Sequence, residues 1–390
     1  MSPSTVHRQS RRVLQIGYYT IRQVILMLSN ALIALVVIRN SSAIEWGLFV
    51  KTLIIITLIT HVAAWGNRDY LLQQFTLNAR EHFSQFFTSI LTRSTLLVPG
   101  AVILYWLNPE SWTLPLMWLA AYFIYQSFDV LIVYERRFRE AAIIDVLGLL
   151  CIVGPVIIGH SAEMMTIIKL YLASYLLRSI LLIILFRGIF KNLVFKLDGL
   201  HIIAAFPFFI IGLSGLLQSR IDLYTISFFL SDEEVGIYQV LIGFLLAIQA
   251  GSAFLLTPFA KNIMRSRIPT VQRLASNTAK LGIVLVTAGI ILTRFILSEV
   301  YQIELKNSFF VVGAFFALAP YMYLVRIYKL YGQKRENTVV IINLVAALLT
   351  MLLTLILIKK FGLFGALIAA TVVQWLVVAT YLTVSLKKST

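Results

Sequence analysis

The chain has 390 residues, of which 59% are hydrophobic and only 13% charged, with a formal net charge of +16 and a mean hydropathy of +0.88. A soluble domain carries roughly 45–50% apolar residues, so this composition is that of a protein built for lipid. It excludes a nucleic-acid-binding module, because no polar stretch is long enough to gather the excess base on a soluble domain.

The first stretch, Met1 to Arg12, is polar and basic and lacks the short apolar segment and small-residue cleavage site of a signal peptide. Twelve apolar spans of membrane-crossing length follow, at residues 13–38, 44–66, 83–107, 112–133, 141–160, 165–187, 201–230, 235–259, 278–298, 308–331, 337–358 and 363–386. About 20 residues at 1.5 Å each cross the hydrocarbon, which sets the expected lengths. The expected fold is therefore an all-α polytopic membrane protein. Cys151 is the single cysteine, so neither an intramolecular disulfide nor a cysteine metal site can form.

Lys and Arg collect in alternate loops. One set holds Arg8, Arg11, Arg12, Arg68, Arg80, Arg136, Arg137, Arg139, Arg187, Lys191, Lys196, Lys261, Arg265, Arg267, Arg273, Lys334, Arg335, Lys387 and Lys388. The opposite set offers Arg39, Lys306, Lys359 and Lys360, together with acidic Glu110, Glu163, Asp232 to Glu234, Glu299 and Glu304. By the positive-inside rule both termini are expected in the cytoplasm.

A trace of an internal repeat connects Glu45-Trp46-Gly47-Leu48-Phe49 with Glu234-Val235-Gly236-Ile237-Tyr238, 189 positions apart. Both stretches open the helix after a tight outer turn. Two six-helix halves are a common transporter plan, and the expected lobes are residues 1–198 and 199–390. Pro99, Pro155, Pro207, Pro258 and Pro320 fall within spans, where a proline removes one helix hydrogen bond.

No glycine-rich phosphate loop, His-Glu-x-x-His or catalytic triad pattern is present. The five histidines, His7, His61, His82, His160 and His201, show no metal-ligand spacing and read as solvated or packed. The strongest signal is charge inside the spans, which costs roughly 3 kcal/mol or more at the bilayer centre and so marks function. Arg22 shares a stripe with Gln15 and Ser29, and Arg178 shares one with Tyr171 and Ser174. Arg93 and Arg220 also lie deep, whereas Lys51, Lys169, Arg294 and Arg326 lie nearer span ends, where they can reach the interface.

In the seventh span Ser214, Gln218, Asp222 and Thr225 form one polar stripe, with Arg220 largely on the other side at ~100° per residue. Asp129, Asp145 and Asp222 are the carboxylates within spans. Base thus exceeds acid in the membrane, and guanidinium is well matched to phosphate. The candidate contacts to an anionic head group are Arg22, Arg93, Arg178, Arg220, Lys51, Arg294 and Arg326; Ser214, Gln218, Asp222, Asp129 and Asp145 are candidates for ion coupling.

The residues Phe206-Pro207, Gln218-Ser219-Arg220-Ile221-Asp222, Phe228-Phe229-Leu230 and Glu234-Val235-Gly236-Ile237-Tyr238 resemble the seventh and eighth helices of Wzx-type O-antigen flippases. These belong to the multidrug/oligosaccharidyl-lipid/polysaccharide (MOP) exporter superfamily. Glu45-Trp46-Gly47-Leu48-Phe49 with Gly66-Asn67-Arg68, and Phe361-Gly362-Leu363-Phe364-Gly365-Ala366, look like that family's N-terminal entry and last-helix start. The resemblance implies twelve helices in two six-helix lobes around a central cavity, a MurJ-like architecture. It implies that undecaprenyl-pyrophosphate-linked oligosaccharide crosses the bacterial inner membrane by alternating access, its anionic head held by cavity Arg and Lys. It further implies no cofactor, coupling to a proton or sodium gradient, and the polysaccharide polymerase machinery as a partner. Two other readings stay open: a MATE-like multidrug or toxin cation antiporter, which would prefer carboxylates, and a membrane glycosyltransferase or O-antigen polymerase, which would need a large outer loop.

Overall fold

The computed structural model describes residues 3–77, 79–107, 109–159, 163–192 and 196–384. His160, Lys387 and Lys388 lie outside the described residues, as do the side chains of His7, Arg8, Arg11, Arg12, Gln15, Lys191, Pro258 and Lys261.

Among the described residues every regular element is helical. In hydrocarbon a backbone has no water to bond, so each span has to satisfy its own amides within a helix. The helices are α1 (Pro3–Asn40), α2 (Ala43–Ala64), α3 (Asn67–Leu77), α4 (His82–Ser94), α5 (Leu97–Leu107), α6 (Thr113–Ser127), α7 (Asp129–Glu135), α8 (Phe138–Gly159) and α9 (Met164–Leu185). They continue with α10 (Gly199–Phe229), α11 (Asp232–Leu256), α12 (Ala260–Arg265), α13 (Ile268–Phe295), α14 (Asn307–Gly332) and α15 (Glu336–Thr383). Among the described residues eleven stretches are long and apolar enough to cross a membrane. The last, α15, is two helices joined at Gly362, whose φ of 55° and ψ of −138° are not helical. Counted as two, it brings the spans among the described residues to twelve, and the chain is a multi-pass membrane protein.

Two expected spans are not continuous. The stretch 83–107 divides into α4 and α5 around Thr95 and Leu96, just before Pro99, and 112–133 divides into α6 and α7 at Phe128. The second break puts Asp129 at the first position of a short helix that ends where Arg136 takes a φ of 59°.

By Cα packing the chain forms two compact units, Met1–Leu213 and Ser214–Thr390, so the division falls within α10. In the first unit α1 lies along α8, α2 along α6, and α9 against α6 and α8. In the second, α14 packs on α11, α13 and α15. The outward faces are apolar: Trp106, Ile158, Val284 and Ile291 are all exposed, which suits a surface solvated by lipid tails.

The two related motifs take equivalent places in their own units. Ser42 caps α2 by accepting from the Glu45 amide at 3.2 Å, and Ser231 with Glu234 forms a reciprocal capping box on α11. Each glutamate also lies against the start of a later helix of its own unit. Glu45 Oε2 accepts from the Met164 amide at 2.6 Å, while Glu234 Oε1 lies 3.7 Å from where a Cβ on Gly362 would sit.

Gly66 and Gly362 are the glycines at positive φ among the described residues. Gly66, at φ 64°, would place a Cβ 2.4 Å from the Phe209 amide nitrogen, and Gly362 has a positive φ with an extended ψ that is essentially reserved for glycine. We expect Gly362→Ala to cost about 1–3 kcal/mol through strain alone. Gly66→Ala should cost more, because it also drives backbone apart. Thermal unfolding in detergent checks this, with a larger fall in Tm for Gly66→Ala than for Gly362→Ala.

Candidate functional site

The first unit holds a cavity of about 290 Å³ whose lining includes Arg22, Arg68, Arg93, Tyr122, Phe123, Gln126 and Asp129. Three arginines face it against a single aspartate. The helix breaks supply it. The α2–α3 turn, where Trp65 (φ 48°) and Gly66 are both left-handed, brings in Arg68, and the α6–α7 break brings in Asp129.

The charges form a chain. Arg68 Nη1 lies 3.2 Å from Asp129 Oδ2. Asp129 Oδ1 accepts from Arg22 Nη1 at 2.8 Å, and Arg22 Nε donates to Asp145 Oδ2 at 2.8 Å. Asp145 Oδ1 closes the chain by accepting from Tyr125 Oη at 2.5 Å. Burial deepens along it, from the Arg68 side chain at 46% exposed, through Asp129 at 24%, to Arg22 at 4% and Asp145 at 1%.

Arg93, 1% exposed, belongs to a different arrangement. Its Nε donates to Ser89 Oγ and its Nη2 to Ser127 Oγ, both at 3.1 Å. Its Nη1 reaches the Ala63 and Ala64 carbonyls at 3.4 Å, and the guanidinium stands 5.1 Å from the Phe123 ring centroid. Among the described residues it makes no ion pair. Ser89 donates to Asn67 Oδ1 at 2.5 Å, and His201 Nε2 lies 2.9 Å from Ser89 Oγ and 3.1 Å from Asn67 Oδ1. His201 is thus built into the polar shell under Arg93. Trp65 fixes the same region, donating from Nε1 to the Ile202 carbonyl at 2.8 Å and stacking on Phe209.

Arg178 is buried but does not line this cavity. Its Nη2 donates to the Asp145 carbonyl at 3.2 Å, and its guanidinium sits over Tyr175 and Tyr125 at 5.1 and 5.6 Å. Gly148 makes room for it, since a Cβ there would fall 1.8 Å from Arg178 Nε. Ser174 bonds the Gly148 carbonyl at 2.7 Å, and Tyr171 joins the aromatic cluster of Phe49 and Trp118.

The second unit holds a smaller void of about 10 Å³, lined by Gln218, Ser219, Asp222, Phe316, Thr350, Ala370, Val373 and Gln374. That is room for one water-sized guest. Asp222, 4% exposed, accepts from Tyr238 Oη at 2.5 Å. Tyr323 Oη lies 3.4 Å from Gln374 Oε1. Thr225 turns back onto the Ile221 carbonyl, and Ser214 is buried; neither lines the void.

Of the residues singled out from the sequence, the first-unit cavity thus gathers Arg22, Arg93 and Asp129, with Asp145 directly behind. Arg326 caps the end of α15 through the Tyr381 and Leu382 carbonyls at 2.8 and 2.9 Å. Arg294 and Lys169 are exposed, and Lys51 is partly buried in α2. Arg220 is partly buried and interacts electrostatically with Asp222, Tyr224 and Tyr238. The sequence reading missed Arg68, which it placed in a loop, and Tyr125, Thr350 and Gln374, which carry no charge to mark them.

The sequence matches no family model and no curated protein. Solved structures do match. The fold is similar to lipid II flippase MurJ in an inward closed conformation, with a TM-score of 0.73 and 12% identity over 93% of this chain and 86% of that one. It is also similar to the eukaryotic MATE transporter AtDTX14, at a TM-score of 0.59 and 12% identity over 96% of both chains. A MOP superfamily transporter from Pyrococcus furiosus, described as having a binding pocket of reversed polarity, matches at 0.54 with 13% identity over 94% and 93%. At such identities the likeness establishes the fold, which is that of MurJ and the MATE transporters.

The buried and exposed links of the charge chain should separate in stability. Asp145→Asn strips a buried charge pair and should cost about 3 kcal/mol or more, whereas Arg68→Gln breaks a half-exposed pair worth about 1 kcal/mol at most. Chemical or thermal unfolding of the two variants in detergent gives the order.

Proposed function

We propose that the chain is a flippase that carries an undecaprenyl-pyrophosphate-linked oligosaccharide across the bacterial inner membrane by alternating access. The observation that carries this reading is the first-unit cavity, where three arginines face one aspartate and Arg93 has no acidic partner among the described residues. Guanidinium groups donate in a planar fork that suits phosphate, and they stay charged at any working pH. Sites for drug-sized ligands run to roughly 300–1,000 Å³. The cavity, at about 290 Å³, therefore suits a diphosphate head better than a whole oligosaccharide.

In this reading Arg22 and Arg93 receive the head, Arg68 joins them from the α2–α3 turn, and Arg178 braces Asp145 from behind. The small void beside Asp222 supports ion coupling. A carboxylate with Gln218, Ser219, Thr350 and Gln374 around a water-sized space offers oxygen ligands to one proton or sodium ion. A cation antiporter remains the competing reading, and the surplus of arginine in the cavity disfavours an organic cation there.

Arg93→Gln keeps a hydrogen-bonding side chain and removes the charge. Loss of a charge-assisted contact of about 1.5–3 kcal/mol corresponds to roughly tenfold to hundredfold weaker function. Complementation of a deletion strain should then give far less surface polysaccharide and more lipid-linked intermediate at an unchanged protein level. Normal polysaccharide would remove the basis of this reading. For Asp222→Asn, transport in vesicles should lose its dependence on the ion gradient; a gradient response equal to wild type would take the coupling role from Asp222.

A further inference from the structure

Asp129 is the carboxylate on which two guanidiniums converge. Each of its oxygens holds a different arginine, Oδ1 with Arg22 at 2.8 Å and Oδ2 with Arg68 at 3.2 Å. A phosphate placed at the same point would meet the same two forks, because carboxylate and phosphate accept from guanidinium in like geometry. We propose that Asp129 is a displaceable counter-ion, which holds Arg22 and Arg68 in position and yields them to the diphosphate of the ligand. This rests on the anionic-head reading of the cavity given above.

The two carboxylates of the chain differ in the ways that displacement requires. Asp129 lines the cavity and its side chain is 24% exposed, so it has room to turn toward solvent. Asp145 is 1% exposed, does not line the cavity and is held by Tyr125 Oη as well as by Arg22 Nε. Arg22 therefore keeps its Nε tether to Asp145 while its Nη1 changes partner. The guanidinium is already stripped of water and oriented before the ligand arrives, so neither cost falls on binding. Arg93, which makes no ion pair among the described residues, supplies the net attraction that makes the exchange favourable. Asp129 also sets a threshold: an anion that cannot engage Arg22, Arg68 and Arg93 together does not outcompete a carboxylate already in place.

Full-length protein in detergent, titrated calorimetrically with inorganic pyrophosphate and with geranylgeranyl pyrophosphate at fixed salt, tests this. Removing the competitor in Asp129→Asn should tighten both ligands by about tenfold, a change of about 1.4 kcal/mol, while Arg93→Gln should weaken binding of both by roughly tenfold to hundredfold. Infrared difference spectra of the wild type should show a carboxylate band shifting on addition of pyrophosphate, a measurement that needs no variant to fold. Binding that Arg93→Gln weakens as expected but Asp129→Asn leaves unchanged or weakens, with a silent carboxylate region, overturns the counter-ion role and leaves the anion site standing. Failure of wild type and Asp129→Asn to bind either pyrophosphate overturns both. Given the expected tightening, preference for the prenylated ligand assigns the site to a lipid head group, and equal affinity assigns it to the free anion.

Discussion

A guanidinium cannot stand alone in hydrocarbon, and the first unit is arranged around the compensation of one. Arg22 on α1 meets Asp145 on α8 and Asp129 at the head of α7. Helices gain little from hydrophobic contact when their surroundings are equally apolar, so packing and polar contacts have to select the partner. The Arg22–Asp145 pair fixes α1 along α8. Arg178 brings in α9 through the Asp145 carbonyl, and Tyr125 brings in α6. One charge system thus ties together five helices whose outer faces are interchangeable grease, and the cavity opens where that system runs outward to Asp129 and Arg68.

The two units share a motif and use it differently. Glu45 and Glu234 both open a helix, and each lies against a later turn of its own unit, at Met164 and at Gly362. Four positions later the halves diverge. Phe49 is buried among Trp46, Trp118 and Tyr171, whereas Tyr238, at the equivalent place, turns a hydroxyl onto Asp222. The first unit keeps this position apolar and concentrates charge around Arg22. The second sets one carboxylate, Asp222, within the field of Arg220 and against neutral oxygens of Gln218, Ser219, Thr350 and Gln374. On the proposed reading this difference suits two tasks, since a multivalent anion needs several fixed cations and a single small ion needs a charge and several dipoles.

The spans were legible because length and hydropathy are additive along the chain, and even the sharp reversal at Gly362 sits between two stretches that read separately. The deep arginines were legible because a charge in an apolar run has no cheap explanation. Their partners were not. Arg22 and Asp145 are 123 positions apart, and nothing local connects them. Arg68 read as a loop cation because Trp65 and Gly66 interrupt the helix, and only the folded turn shows that the interruption aims it at Asp129. Thr350 and Gln374 lie in the two arms of α15 and meet only once Gly362 has reversed the chain. Arg326 was misleading for the opposite reason: its charge is used, but on the orphan carbonyls that end α15.

The dimensions of the first-unit cavity also bear on what it can select. At about 290 Å³ it has space for a phosphorylated head and little for the sugars beyond it. On the proposed reading its arginine forks and few hydroxyls recognise charge and phosphate geometry rather than a glycan. On the proposed reading the cavity therefore distinguishes anionic lipids from neutral or cationic ones and is indifferent to the identity of the repeat unit. The residues that carry the chemistry are for that reason the ones least able to name the sugar. A cationic substrate faces the converse problem, since it would have to displace Arg22 from Asp129 without offering Arg22 or Arg93 anything in return.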